Sequence, residues 1–106
     1  MDKSAVLNIC LQFARALEKQ KIRIEKLVLY GSFAYGTPHE WSDIDLVVVS
    51  DDFIGKGYWE RIDILTEAIC EVFQPIEAVA MTVEEWESGD TSIARFARKG
   101  QVVYAA

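Results

Sequence analysis

Two cysteines, two prolines and a single histidine are all that the 106 residues hold of those types. Cys10 and Cys70 stand apart and form neither a CxxC nor a His/Cys cluster, which excludes a structural zinc site and a thioredoxin-like redox motif. Both are expected to be reduced thiols in the core of a cytoplasmic protein. Glycine and proline together number only 8, which excludes collagen-like and low-complexity chains. Basic residues are few, 11 against 17 acidic, for a net charge of −6. A chain so balanced neutralises few phosphates, so direct nucleic-acid binding is not expected. The apolar run Leu46 to Val49 is far below the ~20 residues that a membrane span requires. The start, Met1 to Ser4, leads into a segment charged at Arg15, Glu18 and Lys19, so no secretory signal and no membrane association are expected.

The chain is otherwise well supplied for folding, with 51% hydrophobic and 26% charged residues. Its length predicts one domain over 1–106, with a small core burying roughly 60–65% of the unfolded surface. Val6, Ile9, Cys10, Phe13, Ala14 and Leu17 recur at helical spacing over 4–21, with Ser4 as the expected N-cap. Residues 26–30 form a short apolar run stopped by Gly31, expected as a strand buried on both faces. Residues 31–42 read as a structured loop and 43–50 as a second strand. Ile62, Leu65, Ile69, Val72 and Phe73 predict a helix over 58–73 ended by Pro75, and 76–81 a third strand. Thr82 with Glu85 predicts a capping box. A short helix over 91–98, with Ile93, Phe96 and Ala97 inward, and an edge strand at 101–104 complete the chain. The fold class is α/β: one small mixed β-sheet packed with helices.

The chemistry concentrates between Gly31 and Val49. Asp43 and Asp45, two apart in an extended segment, share a face, as do Val47 and Val49; Ile44, Leu46 and Val48 occupy the other. Adjacent carboxylates opening an apolar strand repel each other, and burying either costs several kcal/mol without compensation. A hard divalent cation such as Mg²⁺ is the usual compensation. Glu77, second in the third strand, joins them if that strand is their neighbour; otherwise it is a solvent-facing residue. Three carboxylates suffice for two metal ions in an in-line displacement at phosphorus. Gly31-Ser32, directly after the first strand, allows close backbone approach to phosphate oxygens. It is not a Walker A loop, because Gly36 is followed by Thr37-Pro38 and no lysine.

Gly31-Ser32, ten intervening residues and Asp43-Ile44-Asp45-Leu46-Val47-Val48 resemble the signature of the DNA polymerase β-like nucleotidyltransferase superfamily. The short chain resembles its minimal branch, the MNT proteins of bacteria and archaea. The resemblance extends to the first helix, the helix after Asp-x-Asp, the carboxylate at Glu77 and the tail ending Val103-Tyr104. It implies the nucleotidyltransferase fold, with Gly31 and Ser32 on the triphosphate of ATP or another nucleotide and Asp43, Asp45 and Glu77 as catalytic carboxylates and Mg²⁺ ligands. It implies attack of an acceptor hydroxyl on the α-phosphorus with loss of pyrophosphate. It also implies a small helical HEPN-domain protein as partner, to which the MNT protein acts as antitoxin, in some cases by transferring AMP to it.

Two departures from the resemblance stand out. Tyr35 occupies a position at which many members carry arginine, and tyrosine offers no charged fork for phosphate. Glu77 replaces the more common aspartate. Both keep open an inactive, nucleotide-binding antitoxin that neutralises its partner by complex formation. A transferase acting on an antibiotic-like alcohol is a third possibility, requiring a homodimer to complete its pocket. The oligomeric state, homo- or hetero-, is left open by the sequence.

Overall fold

The computed structural model describes residues 2–36 and 43–105. Helix α1 (Lys3–Lys19) leads into β1 (Lys26–Tyr30), a short helix α2 (Ser32–Tyr35) and β2 (Ile44–Val49). Then follow a 3-10 turn at Asp51–Phe53, α3 (Tyr58–Val72), β3 (Ile76–Met81), α4 (Val83–Ser88), α5 (Ser92–Ala97) and β4 (Gln101–Ala105). The four strands form one mixed sheet ordered β3-β2-β1-β4. β1 runs antiparallel to β2 and β4, while β2 and β3 are parallel, joined through α3. The expected mixed α/β sheet packed with helices is therefore the architecture found.

Side-chain alternation divides the sheet into two apolar faces. Leu27, Leu29, Ile44, Leu46 and Val48 pack against Val6, Phe13 and Leu17 of α1 and Leu65 and Ala68 of α3. Val28, Val47, Val49 and Met81 pack against Ala94 and Ala97 of α5. Both faces of β1 and β2 are covered, which explains why neither strand alternates apolar with polar residues. Gly100 lets the chain enter β4 against β1, since a Cβ there would collide with the Leu29 carbonyl.

Several expectations need correction. The N-cap of α1 is Asp2, whose carboxylate accepts from the Ala5 N–H at 2.8 Å, so Ser4 lies inside the first turn. Residues 32–35, read as loop, make one helical turn closed by Gly36 in the left-handed region. The second strand begins at Ile44, leaving Asp43 just outside it. α3 stops at Val72, with Phe73 left-handed at its C-cap, before Pro75. Cys10 is buried as expected, but Cys70 is exposed on the outer side of α3. On α5 the inward residues are Ala94 and Ala97; Phe96 is half exposed, because the helix meets the sheet through its small side chains. The Thr82–Glu85 capping box is present, with Glu85 also paired to Arg61 at 2.7 Å.

Candidate active site

One polar row crosses three strands at the end of the sheet. The register sets Tyr30 opposite Asp45, and Asp45 opposite Glu77. All three lie on the α5 face, in line with Val28, Val47 and Val79. β1 ends in this row because Gly31 turns the chain with φ +75°. A Cβ at Gly31 would collide with Oδ2 of Asp45, so glycine alone lets the backbone pass this close to the carboxylate. The Gly31 carbonyl then accepts from the N–H groups of Ala34 and Tyr35, both at 3.1 Å, which folds Ser32 into the start of α2.

Burial pushes the Asp45 carboxyl up to about 6, helped by the charge of Glu77, a hydrogen bond with it, and the charge of Asp43. Asp43, exposed and one residue before β2, adds its charge to the same point. Tyr30 is pushed up to about 12, first by burial and then by the charges of Asp45 and Glu77, so its hydroxyl keeps its proton beside them. Among the described residues, none of the three carboxylates forms an ion pair with a basic side chain.

The geometry thus brings Asp45 and Glu77 into contact beside Gly31 and leaves Asp43 at the margin. Among the described residues no three His, Cys, Asp or Glu side chains are gathered tightly enough to define a metal centre. The donor set nevertheless fits a hard divalent cation: Asp45 and Glu77 are facing carboxylates with no basic partner among the described residues, and the charge of Asp43 reaches the same point.

Tyr30 and Phe96 belong to the site without any role in the Gly-Ser and Asp-x-Asp pattern. Tyr30 was legible in principle, as the residue before Gly31 and two positions from Val28. Phe96 was not, because only the packing of α5 brings it over the row, edge-on to Tyr30 (centroids 6.0 Å apart) and to Tyr35 (5.8 Å). Tyr35, the departure from the arginine pattern, donates from its hydroxyl to the Phe96 carbonyl at 3.2 Å and is thereby tied to α5.

Residues 9–93 match the model of a family described as the nucleotidyltransferase domain. The chain belongs to this nucleotidyltransferase family. A relative from Methanocaldococcus jannaschii, named "Putative protein adenylyltransferase", is 34% identical over 77 residues, covering 69% of this chain and 70% of the relative. In three dimensions the chain is similar to a "putative nucleotidyltransferase" from Sulfolobus solfataricus, with a TM-score of 0.74 at 14% identity, over 95% of this chain and 81% of that one. It is also similar to a chain of a toxin–antitoxin complex with AMP-PNP, with a TM-score of 0.65 at 19% identity, over 94% and 73%. A third similar structure, a mutant of the toxin–antitoxin MntA–HpeT, has a TM-score of 0.61 at 17% identity, over 87% and 69%. The nucleotidyltransferase fold expected from the Gly-Ser and Asp-x-Asp residues is therefore the fold of this protein.

Other aromatic and basic residues of the described chain lie apart from this row. His39 and Trp41 lie outside the described residues. Trp59 is 74% exposed on α3, while Trp86 packs beside the α5 face with the Arg98 guanidinium 5.7 Å from its ring centre. Arg98 donates to the Trp86 and Glu87 carbonyls and Arg95 to those of Gly89 and Asp90, so both arginines serve the end of α4. Lys56 donates to the Asp52 carbonyl at 2.7 Å. No helix among the described residues is long and apolar enough to cross a membrane.

Proposed function

We propose that this protein is a single-domain, Mg²⁺-dependent nucleotidyltransferase that moves AMP from ATP to a hydroxyl of a partner protein, in the cytoplasm, as the antitoxin of a HEPN-type toxin. The observation that carries the reading is the contact of Asp45 with Glu77 across β2 and β3, beside a glycine that nothing larger could replace. Support for the adenylyl group and the protein acceptor comes from the name of the M. jannaschii relative. Support for the toxin–antitoxin setting and for an adenine nucleotide comes from the similar complexes.

In this reading Asp43, Asp45 and Glu77 hold Mg²⁺, which when bound supplies positive charge to the phosphates and to the acceptor oxygen. The chain's own work is positioning. Gly31 and Ser32 present backbone and hydroxyl donors to the triphosphate. Glu77, at the outer end of the row, accepts the proton of the incoming hydroxyl as its oxygen bonds to the α-phosphorus and pyrophosphate leaves. Tyr30 keeps its proton and offers a neutral donor on the inner side of the row.

A second reading has its own observation. Tyr35 is committed to the Phe96 carbonyl, so the position that carries arginine in many relatives supplies no cation to phosphate. This favours a nucleotide-binding antitoxin that acts by complex formation. Incubation with α-labelled ATP, Mg²⁺ and the copurifying helical partner separates the two. Transfer of label that Asp43→Asn plus Asp45→Asn abolishes supports the enzyme. Full protection by that double variant, with no label on the partner, supports the binding module.

A further inference from the structure

β3 is an edge strand, and its outer side is the place where the molecule is unfinished. The Ile44 N–H donates to the Pro75 carbonyl (2.8 Å) and the Ser50 N–H to the Met81 carbonyl (2.9 Å). Backbone groups of alternate residues therefore point to β2, and those of Ile76, Ala78 and Ala80 point away from it. Of these, the Ile76 N–H is taken by the Gln74 carbonyl and the Ala80 carbonyl by Arg61 at 3.4 Å. The N–H and carbonyl of Ala78 and the N–H of Ala80 have no partner among the described residues. A groove of about 680 Å³ runs along this edge, floored by Glu77 through Ala80. Ile62 and Leu65 of α3 wall one side and Ile93 of α5 stands on the other. Its charges cancel, Lys56 and Arg61 against Glu77 and Glu85, although the chain as a whole is at −6.

We propose that this groove binds the acceptor: an extended segment of a hydroxyl-bearing protein adds to β3 as a fifth strand and delivers its hydroxyl to Glu77. Three features argue for an extended polypeptide. Unpaired donors and acceptors alternate along the floor, which is what a strand satisfies and a compact small molecule does not. An apolar side chain stands on each side of the sheet plane, Ile62 on one and Ile93 on the other, beside the balanced charges, which suits the alternating side chains of a strand. The groove is continuous with the polar row, since Glu77 belongs to both. Glu77 turns its own backbone toward β2, so a residue opposite it on an added antiparallel strand sits at a non-hydrogen-bonded position. There facing Cβ atoms are closest, at about 4.5–5.5 Å. Tyr30, Asp45, Glu77 and the acceptor side chain then form one row across four strands. The proposal rests on the transferase reading for its chemistry, the hydroxyl oxygen bonding to the α-phosphorus of the nucleotide as pyrophosphate leaves and Glu77 takes the proton. Binding can be tested apart from that chemistry.

The test uses Ala78→Pro, which deletes an outward N–H and leaves the β2–β3 ladder its own hydrogen bonds. Short random peptides with one central Ser, Thr or Tyr are selected on the wild-type chain with Mg²⁺ and a non-hydrolysable ATP analogue. Selected peptides are expected to bind Ala78→Pro about tenfold more weakly, to protect the Ala78 and Ala80 amides from hydrogen exchange, and to leave nucleotide binding unchanged in the variant. Peptides N-methylated at every second residue in one phase lose binding, and those methylated in the other phase keep it; this arm decides if Ala78→Pro does not fold. Failure to select any peptide, equal binding to the variant, or indifference to the methylation phase overturns the proposal. So does a wild-type dimer that Ala78→Pro dissociates, which would mean that a second copy covers this edge. Loss of nucleotide binding in the wild type instead defeats the transferase reading, while the peptide result still decides the groove.

Discussion

The two faces of the sheet use the same strands for opposite ends. On the α1/α3 face every inward side chain is apolar, and Phe13, Leu17, Leu27, Leu29, Ile44 and Leu46 are wholly shielded from water. On the α5 face the cover is a six-residue helix touching through Ala94 and Ala97, and the row Tyr30–Asp45–Glu77 emerges at its margin. The first face holds the molecule together. The second accepts a raised carboxyl, a left-handed glycine and an incomplete cover, all costs to stability that a site needs and a core does not. The difference teaches that β2 is amphipathic in function rather than in polarity. Its even-numbered residues are structural throughout, and its odd-numbered ones change from packing to chemistry within two positions.

That contrast is broken most severely by Leu46→Ala. Leu46 is fully buried between α1 and α3, and its truncation is expected to cost about 3 kcal/mol in urea unfolding without a specific effect on nucleotide binding. A loss as small as that of a surface substitution would show that the α1/α3 face is not the dominant core. Gly31→Ala comes next. The added methyl meets Asp45 while the backbone keeps a positive φ, so a loss of roughly 2 kcal/mol is expected together with loss of nucleotide binding by calorimetry. Retained binding would mean that the close approach of Gly31 to Asp45 is not part of the site.

Asp45→Asn sharpens the comparison because it should act in the opposite sense on stability. The Asp45 carboxyl, held up at about 6, binds its proton more tightly folded than unfolded, where the value is about 3.9. The folded state therefore carries the extra proton between those values, and stability falls as pH rises from about 4 to 6. With the carboxyl partly open to water the fall should be on the order of 1 kcal/mol. Asp45→Asn should remove that slope, match or exceed the wild type in stability at neutral pH, and lose nucleotidyl transfer. Unfolding curves at several pH values check the first two and α-labelled ATP the third; a slope unchanged in the variant would assign it to another group.

The smallest effect is expected far from both faces. Phe73 caps α3 in the left-handed region and is 87% exposed, so its ring packs on little. Phe73→Gly should raise stability by about 0.5 kcal/mol, the strain relieved being partly offset by the greater freedom of the unfolded chain. A loss would reveal packing by the ring, for instance against a partner.

Much of the fold was legible because it rests on local patterns. The helical spacing of Val6 to Leu17 and of Ile62 to Val72, the β-branched run after Asp45, and the Thr82–Glu85 cap each depend on neighbours within a turn or two of chain. What was illegible depends on how elements meet. On α5 the expected inward set is Ile93, Phe96 and Ala97, of which Ala97 alone is buried. α5 in fact approaches the sheet through alanines, and Phe96 is left to cover Tyr30 and Tyr35. Cys70 is expected in the core, yet it is exposed because α3 turns Leu65 and Ala68 inward.

The amino-acid order alone determined the strands and the helices other than α2, the glycine–serine turn and the pairing of carboxylates with an apolar strand, since periodicity and backbone freedom are properties of short stretches. Tertiary structure alone decided that Glu77 stands beside Asp45, that Tyr30 completes their row and that the outer edge of β3 is open. Those facts follow from strand order and register, which are set by long-range burial of the two sheet faces and leave no mark within any one segment.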